Sequence, residues 1–261
     1  MLMSRVLSPN TRFQGLPTID KKWIDMGLTA FYLTRTNFWN RNLAKGGAAD
    51  STNCAMLGAN ATLGSDYLRT TGVDNQWVKL YLGATYSQVY PMTLLMGCRK
   101  ISGSVGFSIF KLASPTSGLY GDGSGGFSTT GGEVYDGSIS TVAPQYTDDK
   151  VNYCAVSLSS TSLRGSKNGG IVAVDDSFTI PTTGNITSCA LGGFMKSATN
   201  TSTVSSVTDF KYVGFFNKVL PDDLLQSLSK NPWQMFTPLR RMRYFISNKI
   251  KLFAEELEEQ Y

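Results

Sequence analysis

Apolar positions along this chain come in short runs, most of them alternating, with glycine, serine, threonine and asparagine between them. Ile101, Val105, Phe107 and Ile109 alternate with serines and a glycine, which predicts a half-buried strand with one wet face. Gly27-Leu28-Thr29-Ala30-Phe31-Tyr32-Leu33 and Val151-Asn152-Tyr153-Cys154-Ala155-Val156-Ser157-Leu158 also have strand character. Gly58, Gly64, Asp66-Tyr67-Leu68, Gly72 and Trp77-Val78-Lys79-Leu80 mark further short runs punctuated by turn residues. Asn168-Gly169 separates two β-rich runs and predicts a hairpin, because both turn positions need positive φ.

Residues 208–236 combine two periods. Phe210, Tyr212 and Phe216 alternate with Lys211 before the pattern turns apolar on both faces at Val213 and Phe215. That predicts a strand buried on both sides. Leu220, Leu224, Leu225 and Leu228 then recur at helical spacing. Pro221 fits the first helical position, and Asp222 and Asp223 sit where the helix dipole favours negative charge. The helix is expected to stop before Pro232, since proline disfavours the α conformation in the residue ahead of it.

The flanks differ from this body. Residues 1–24 carry Pro9, Gly15, Pro17 and scattered charges without a sustained period, and they read as an extended arm. Residues 25–238 form the predicted β domain. Residues 239–261 begin with the basic run Leu239-Arg240-Arg241-Met242-Arg243. A helix follows in which Ile246, Ile250, Phe253 and Leu257 share a face. Lysines open that helix and glutamates close it, against its dipole, so it needs tertiary or intersubunit packing. Those four apolar residues are the expected assembly contacts.

Composition narrows the function classes. A chain of 261 residues can bury a core without disulfides. Charged residues make up 16%, while 26 glycines and abundant aromatics suit a turn-rich β protein. The net charge of +5 is modest and gathers near residues 240–251, so no general nucleic-acid surface is expected. There are no histidines, which removes Ser-His-Asp and Cys-His catalysis and histidine-metal sites. Cys54, Cys98, Cys154 and Cys189 lack metal or redox spacing and are expected to be buried, reduced thiols. No signal-peptide run opens the chain and no window reaches membrane-spanning length, so neither export by that route nor a membrane partner is expected.

Residues 115–141 are the loosest part of the predicted domain, with glycines interleaved among Tyr120, Asp122, Phe127, Glu133, Tyr135 and Asp136. No Gly-Lys-Ser/Thr follows, so a phosphate loop is not supported. Asp122, Glu133 and Asp136 are hard oxygen ligands, which leaves calcium as a candidate, although their spacing matches no calcium loop. Tyr120 and Tyr135 offer flat faces for a sugar or a partner. A plain loop or a subunit contact is the remaining reading.

Several landmarks carry a resemblance. Gly27-Leu28, Asn42-Leu43-Ala44, Met92-Thr93-Leu94, Asn168-Gly169, Leu191-Gly192-Gly193 and the closing Phe215-Phe216-Asn217, Leu224, Leu228 and Asn231-Pro232-Trp233 occur in order. Together they resemble the laminin G-like, concanavalin A-like jelly-roll domain of bacteriophage structural proteins. Lys167 departs from the apolar residue that usually precedes Asn-Gly there. The resemblance implies an all-β, two-sheet antiparallel β-sandwich with a short capping helix, followed here by the C-terminal helix. It further implies a bacteriophage virion structural protein, made in the host bacterial cytoplasm. Such a protein would act as a capsid decoration or cement protein, as a homo-oligomer touching other virion proteins. The alternative it leaves open is a tail or head-fibre adhesin holding host-surface glycans by carbohydrate binding.

No enzyme is expected. Sandwich glucanases that resemble this fold commonly carry Glu-x-Asp-x-x-Glu on one strand, and no such run exists here. Adjacent residues on a strand point to opposite faces, so Asp148-Asp149 and Asp175-Asp176 make poor dyads. Asp175 and Asp209 are conceivable equivalents of the calcium-holding acids of laminin G relatives, but neither aligns to that motif. No catalytic, cofactor or metal residue is therefore carried over.

Overall fold

Strand β16, Thr201–Phe216, is the spine of the structure, a computed structural model. The residues described are 17–57, 61–72, 77–86, 91–103, 107–111, 114–121, 127–131, 134–139, 150–176, 186–195 and 201–237. In chain order the strands begin with β1 (Leu28–Leu33), β2 (Ala55–Leu57), β3 (Thr62–Leu63), β4 (Leu68–Arg69), β5 (Trp77–Tyr86) and β6 (Met92–Gly103). They continue with β7 (Phe107–Lys111), β8 (Ser114–Gly121), β9 (Phe127–Gly131), β10 (Val134–Ile139) and β11 (Asn152–Leu158). The last are β12 (Leu163–Lys167), β13 (Ala173–Asp175), β14 (Ile186–Leu191), β15 (Gly193–Met195) and β16.

The first sheet runs β13-β12-β11-β6-β16-β4-β3, and β1 and β15 also pair with β16. One side of β16 therefore meets β6 along most of its length, while the other side meets β15, β4 and β1 in succession. The second sheet runs β10-β9-β8-β7-β14-β5-β2. All the pairings recorded are antiparallel, and the two sheets share one core. Tyr32, Met96, Phe210, Val213 and Phe215 supply it from the first sheet, and Val78, Leu80, Leu82, Cys189 and Leu191 from the second. The expected all-β sandwich is what the chain forms.

A second apolar layer covers the outer face of the first sheet. Helix α1 (Lys21–Asp25), helix α2 (Asp222–Lys230) and the 3-10 turn Pro232–Met235 pack there over Phe31, Leu95, Tyr212 and Phe216. The sequence pattern of β16, apolar on both faces, reflects these two cores. Gly97 makes room for the aromatics, since a Cβ there would sit 2.5 Å from the Tyr212 ring. Tyr153, Tyr212 and Phe31 stack in turn, and Trp233 meets Tyr153 and Tyr212 edge-on. The lead into α2 is pinned by Thr93, whose hydroxyl donates to the Lys218 carbonyl and accepts from the Leu220 N–H.

Several expectations need correction at the residue level. Pro221 is the N-cap of α2, with extended ψ of 159°, rather than its first helical residue; Asp222 and Asp223 fill the first turn as expected. Ile19 and Trp23, placed in the arm from sequence, are buried in the second core, and residues 21–25 are helical with Asp20 as cap. Residues 101–109 do not make one strand. Ile101 belongs to β6 in the first sheet, while Phe107 and Ile109 belong to β7 in the second. Much of residues 115–141, read as a loose loop, is built into β8, β9 and β10, because threonine and aromatic residues between the glycines suit pairing. Asn168 and Gly169 both take positive φ, 52° and 77°, and turn β12 into β13 as expected. The rest of the expected arm, residues 1–16, and the C-terminal helix with Ile246, Ile250, Phe253 and Leu257 lie outside the described residues.

Candidate functional site

Of the residues singled out between 120 and 136, Tyr120, Phe127, Tyr135 and Asp136 fall on the three strands at one edge of the second sheet. Tyr120 pairs with Ser108 and Ser128, Phe127 with Gly121 and Ile139, and Tyr135 with Thr130. Asp136 lies at the register shift between Tyr135 and Gly137. Strand pairing thus gathers Tyr120, Phe127 and Tyr135 on three neighbouring strands. Asp122 and Glu133 lie outside the described residues.

A different site emerges on the first sheet. Asp209 of β16 pairs with Arg69 of β4 on one side and with Arg99 of β6 on the other. Their chain neighbours Phe210, Leu68 and Cys98 belong to the inter-sheet core, so alternation turns all three charged side chains to the outer face. The Asp209 carboxylate accepts from Arg69 Nε at 2.6 Å and Nη2 at 2.9 Å, and from Arg99 Nη2 at 2.6 Å. It is 1% exposed, whereas the Arg69 and Arg99 side chains are 37% and 33% exposed. Burial alone would push the Asp209 carboxyl up, but the hydrogen bonds and charges of the two arginines outweigh it and hold it below the ordinary carboxylate range. Register shifts between Val207 and Thr208 and between Phe210 and Tyr212 bracket Asp209, and such bulges re-aim the side chains around them.

The hairpin between β3 and β4 extends this row. Gly64 donates its N–H to the Tyr67 carbonyl, and the Tyr67 ring folds back over Gly64, where a Cβ would collide with it. Arg69 and Lys211 both lie against that ring, 5.2 and 5.3 Å from its centre. Lys211 Nζ also donates to Asp66 at 2.6 Å. Thr36 bonds the Gly64 carbonyl and Thr34 the Lys211 carbonyl, which fixes Arg35 nearby, in the field of Asp66 and over the Phe38 ring. Arg69 and Arg99 thus meet at Asp209, Lys211 pairs with Asp66, and Arg35 lies in the field of Asp66.

Asp175 and Asp209, named from sequence as conceivable equivalents of calcium-holding acids, do not lie together. Three strands separate β13 from β16, which puts the two residues roughly 19 Å apart at the usual strand spacing. Asp209 is moreover already neutralised by two guanidiniums. Among the described residues no group of three or more cysteine or acidic side chains is placed to hold a metal. The arginines were missed because each stands alone in sequence. The available signal was Asp209 itself, an acid inside a strand with core neighbours, which requires a partner.

No family model matches the chain, and no curated protein matches it. Solved structures do. A Trypanosoma rangeli sialidase in complex with sialic acid superposes with a TM-score of 0.53 and 14% identity, over 81% of this chain and 34% of the sialidase. A mutant of that sialidase displaying trans-sialidase activity gives 0.56 and 14% over the same shares. The binding domain of botulinum neurotoxin serotype D/C gives 0.50 and 11%, over 78% of this chain and 52% of that domain. The chain spans about a third of the length of the sialidases it matches, 34%. At such identities the likeness is one of fold. The class it defines is an antiparallel β-sandwich of the kind found in sialidases and in that toxin domain.

Proposed function

We propose that this chain is a non-catalytic binding domain that holds host-surface glycans, as a tail or head-fibre adhesin does. The observation that carries this reading is the Arg69-Asp209-Arg99 row. A buried carboxylate fixes two partly exposed guanidiniums on a rigid sheet, so donors are oriented before any ligand arrives. The likeness in fold to a sialidase in complex with sialic acid and to a toxin binding domain supports it further. Glycoside hydrolysis generally needs a pair of carboxyl groups free to act as acid and as nucleophile or base. Asp209, the one buried acid among the described residues, is instead committed to two arginines.

A second reading, capsid decoration through protein contacts in a homo-oligomer, is favoured by the closing segment. Strand β16, helix α2 and the Asn231-Pro232-Trp233 turn make up the closing segment on which the resemblance to phage jelly-roll domains rests. In that reading residues 239–261 would reach other virion proteins. The deciding experiment probes the full chain on a glycan array and, separately, on glycan-free phage capsids by sedimentation. Saccharide binding without capsid binding is the expected result. Capsid binding with a blank array would replace the adhesin reading with the decoration reading.

A further inference from the structure

We infer that Asn168 is a deamidation site whose reaction the native fold holds back, with Ser229 of α2 as the residue that guards it. Asn168-Gly169 is the only Asn-Gly pair in the chain. Glycine leaves its nitrogen unshielded by a Cβ, so that nitrogen can attack the side-chain carbonyl carbon of the residue before it. In that reaction the Gly169 N–H gives its proton to a solvent base, and a bond forms from the nitrogen to Asn168 Cγ. The Cγ–Nδ2 bond breaks, and Nδ2 leaves as ammonia with a proton from water. Water then opens the cyclic imide at one carbonyl or the other, which leaves aspartate or isoaspartate at position 168. Asn168 is exposed, so base and water reach it.

The reacting groups are otherwise engaged in the folded chain. The Gly169 N–H donates to Ser229 Oγ at 3.0 Å. Asn168 Oδ1 accepts from the Tyr153 N–H at 2.9 Å, and Nδ2 donates to Asn152 Oδ1 at 3.0 Å, so β11 holds the carboxamide at both ends. Ser229 is fully buried and donates to Ser166 Oγ at 2.8 Å, which fixes its own hydroxyl. Attack therefore requires the end of α2 to lift from the hairpin, a local opening rather than global unfolding. Arg164 of β12 grips Asp222 at the start of α2, so that end stays tied while the other loosens. Reclosure is impaired once the reaction has occurred. A carboxylate oxygen would stand where Nδ2 was, acceptor against acceptor at Asn152 Oδ1. Asn152 can turn its own Nδ2 there only by giving up the Lys150 carbonyl. Isoaspartate would also lengthen the main chain at a turn in which residues 168 and 169 both hold positive φ.

The test ages the full chain in mildly alkaline buffer, native and in urea, and follows position 168 by peptide mass spectrometry and isoaspartyl methylation. The native chain is expected to react at least about tenfold more slowly than the chain in urea. Ser229→Ala should speed the native reaction roughly three- to tenfold, as for the loss of one hydrogen bond. Ser229→Cys, which keeps a weak acceptor at the same place, should fall between the parent and Ser229→Ala. In urea all three chains should share one rate, since the guard is absent there, and thermal melts identify any variant that is unfolded while it ages. Equal rates for the parent in buffer and in urea would overturn the inference. So would a folded Ser229→Ala that reacts no faster than the parent. If Ser229→Ala is unfolded at the ageing temperature, Ser229→Cys takes its place in that comparison.

Discussion

The Phe31 ring stacks on the Tyr212 ring with centroids 5.4 Å apart and 9° between their planes. Tyr212 is fully buried, and its hydroxyl has no hydrogen-bond partner among the described residues. The ring therefore contributes packing while its oxygen carries a desolvation cost. Tyr212→Phe keeps the stack and removes that cost, so it is expected to stabilise the protein by about 1 kcal/mol. Urea denaturation of the two proteins checks this; a destabilised variant would show that the hydroxyl is satisfied after all.

Gly83 on β5 has φ of +79°, and a Cβ there would run into the carbonyl oxygen of Thr29 on β1. Thr29 itself ties the sheets together, donating its hydroxyl to the Leu82 carbonyl at 2.8 Å. Gly83→Ala is expected to cost about 2–4 kcal/mol through left-handed strain and this backbone clash. The same exchange at Gly46, where φ is +84° but nothing lies within 4 Å, should cost only about 1 kcal/mol. Comparing the two melting curves isolates the clash from the strain.

These two glycines show what could and could not be read in the chain. β1, β11, β16, α2 and the Asn168-Gly169 turn were legible because their signals are local: a period, a cap, a pair of positive-φ residues. Gly83 carries no local signal, since its role depends on Thr29, on a strand some fifty residues away. The partners of Asp209 could not be read for the same reason, since Arg69 meets it across 140 residues. β8, β9 and β10 were misread because glycine density outweighed their alternating threonine and aromatic residues. Trp23 was misread because a five-residue helix has too few positions to show a period.

All four cysteines are free and buried. Burial raises each thiol above its usual range, Cys98 to about 12, and Cys189 and Cys154 are raised as well. Cys54 is raised by burial too and donates to the Tyr32 hydroxyl. The native protein at pH 8 should thus react slowly with a thiol-specific chromogen, while the denatured chain should release the signal of all 4 at once. Rapid labelling of even one thiol in the native state would place that cysteine at an opening in the core.

The carboxylate of Asp209 gives the fold a defined acid sensitivity. Its folded pKa is depressed relative to the unfolded chain, so the stabilisation it provides is present in full above the unfolded value, about 3.9. It is lost as pH falls from there through the depressed folded pKa. Asp209→Asn removes this component and leaves Arg69 and Arg99 without their shared anion. Because both guanidiniums are about one-third exposed, solvent screens part of the loss, and a cost of about 1–3 kcal/mol at pH 7 is expected. The gap between the two proteins should then narrow as pH drops below about 4, because protonation does to the parent what the substitution did to the variant. Denaturant midpoints measured at pH 7, 4 and 2.5 make the comparison. A gap that stays constant over that range would mean that Asp209 contributes through packing or hydrogen bonding rather than through its charge.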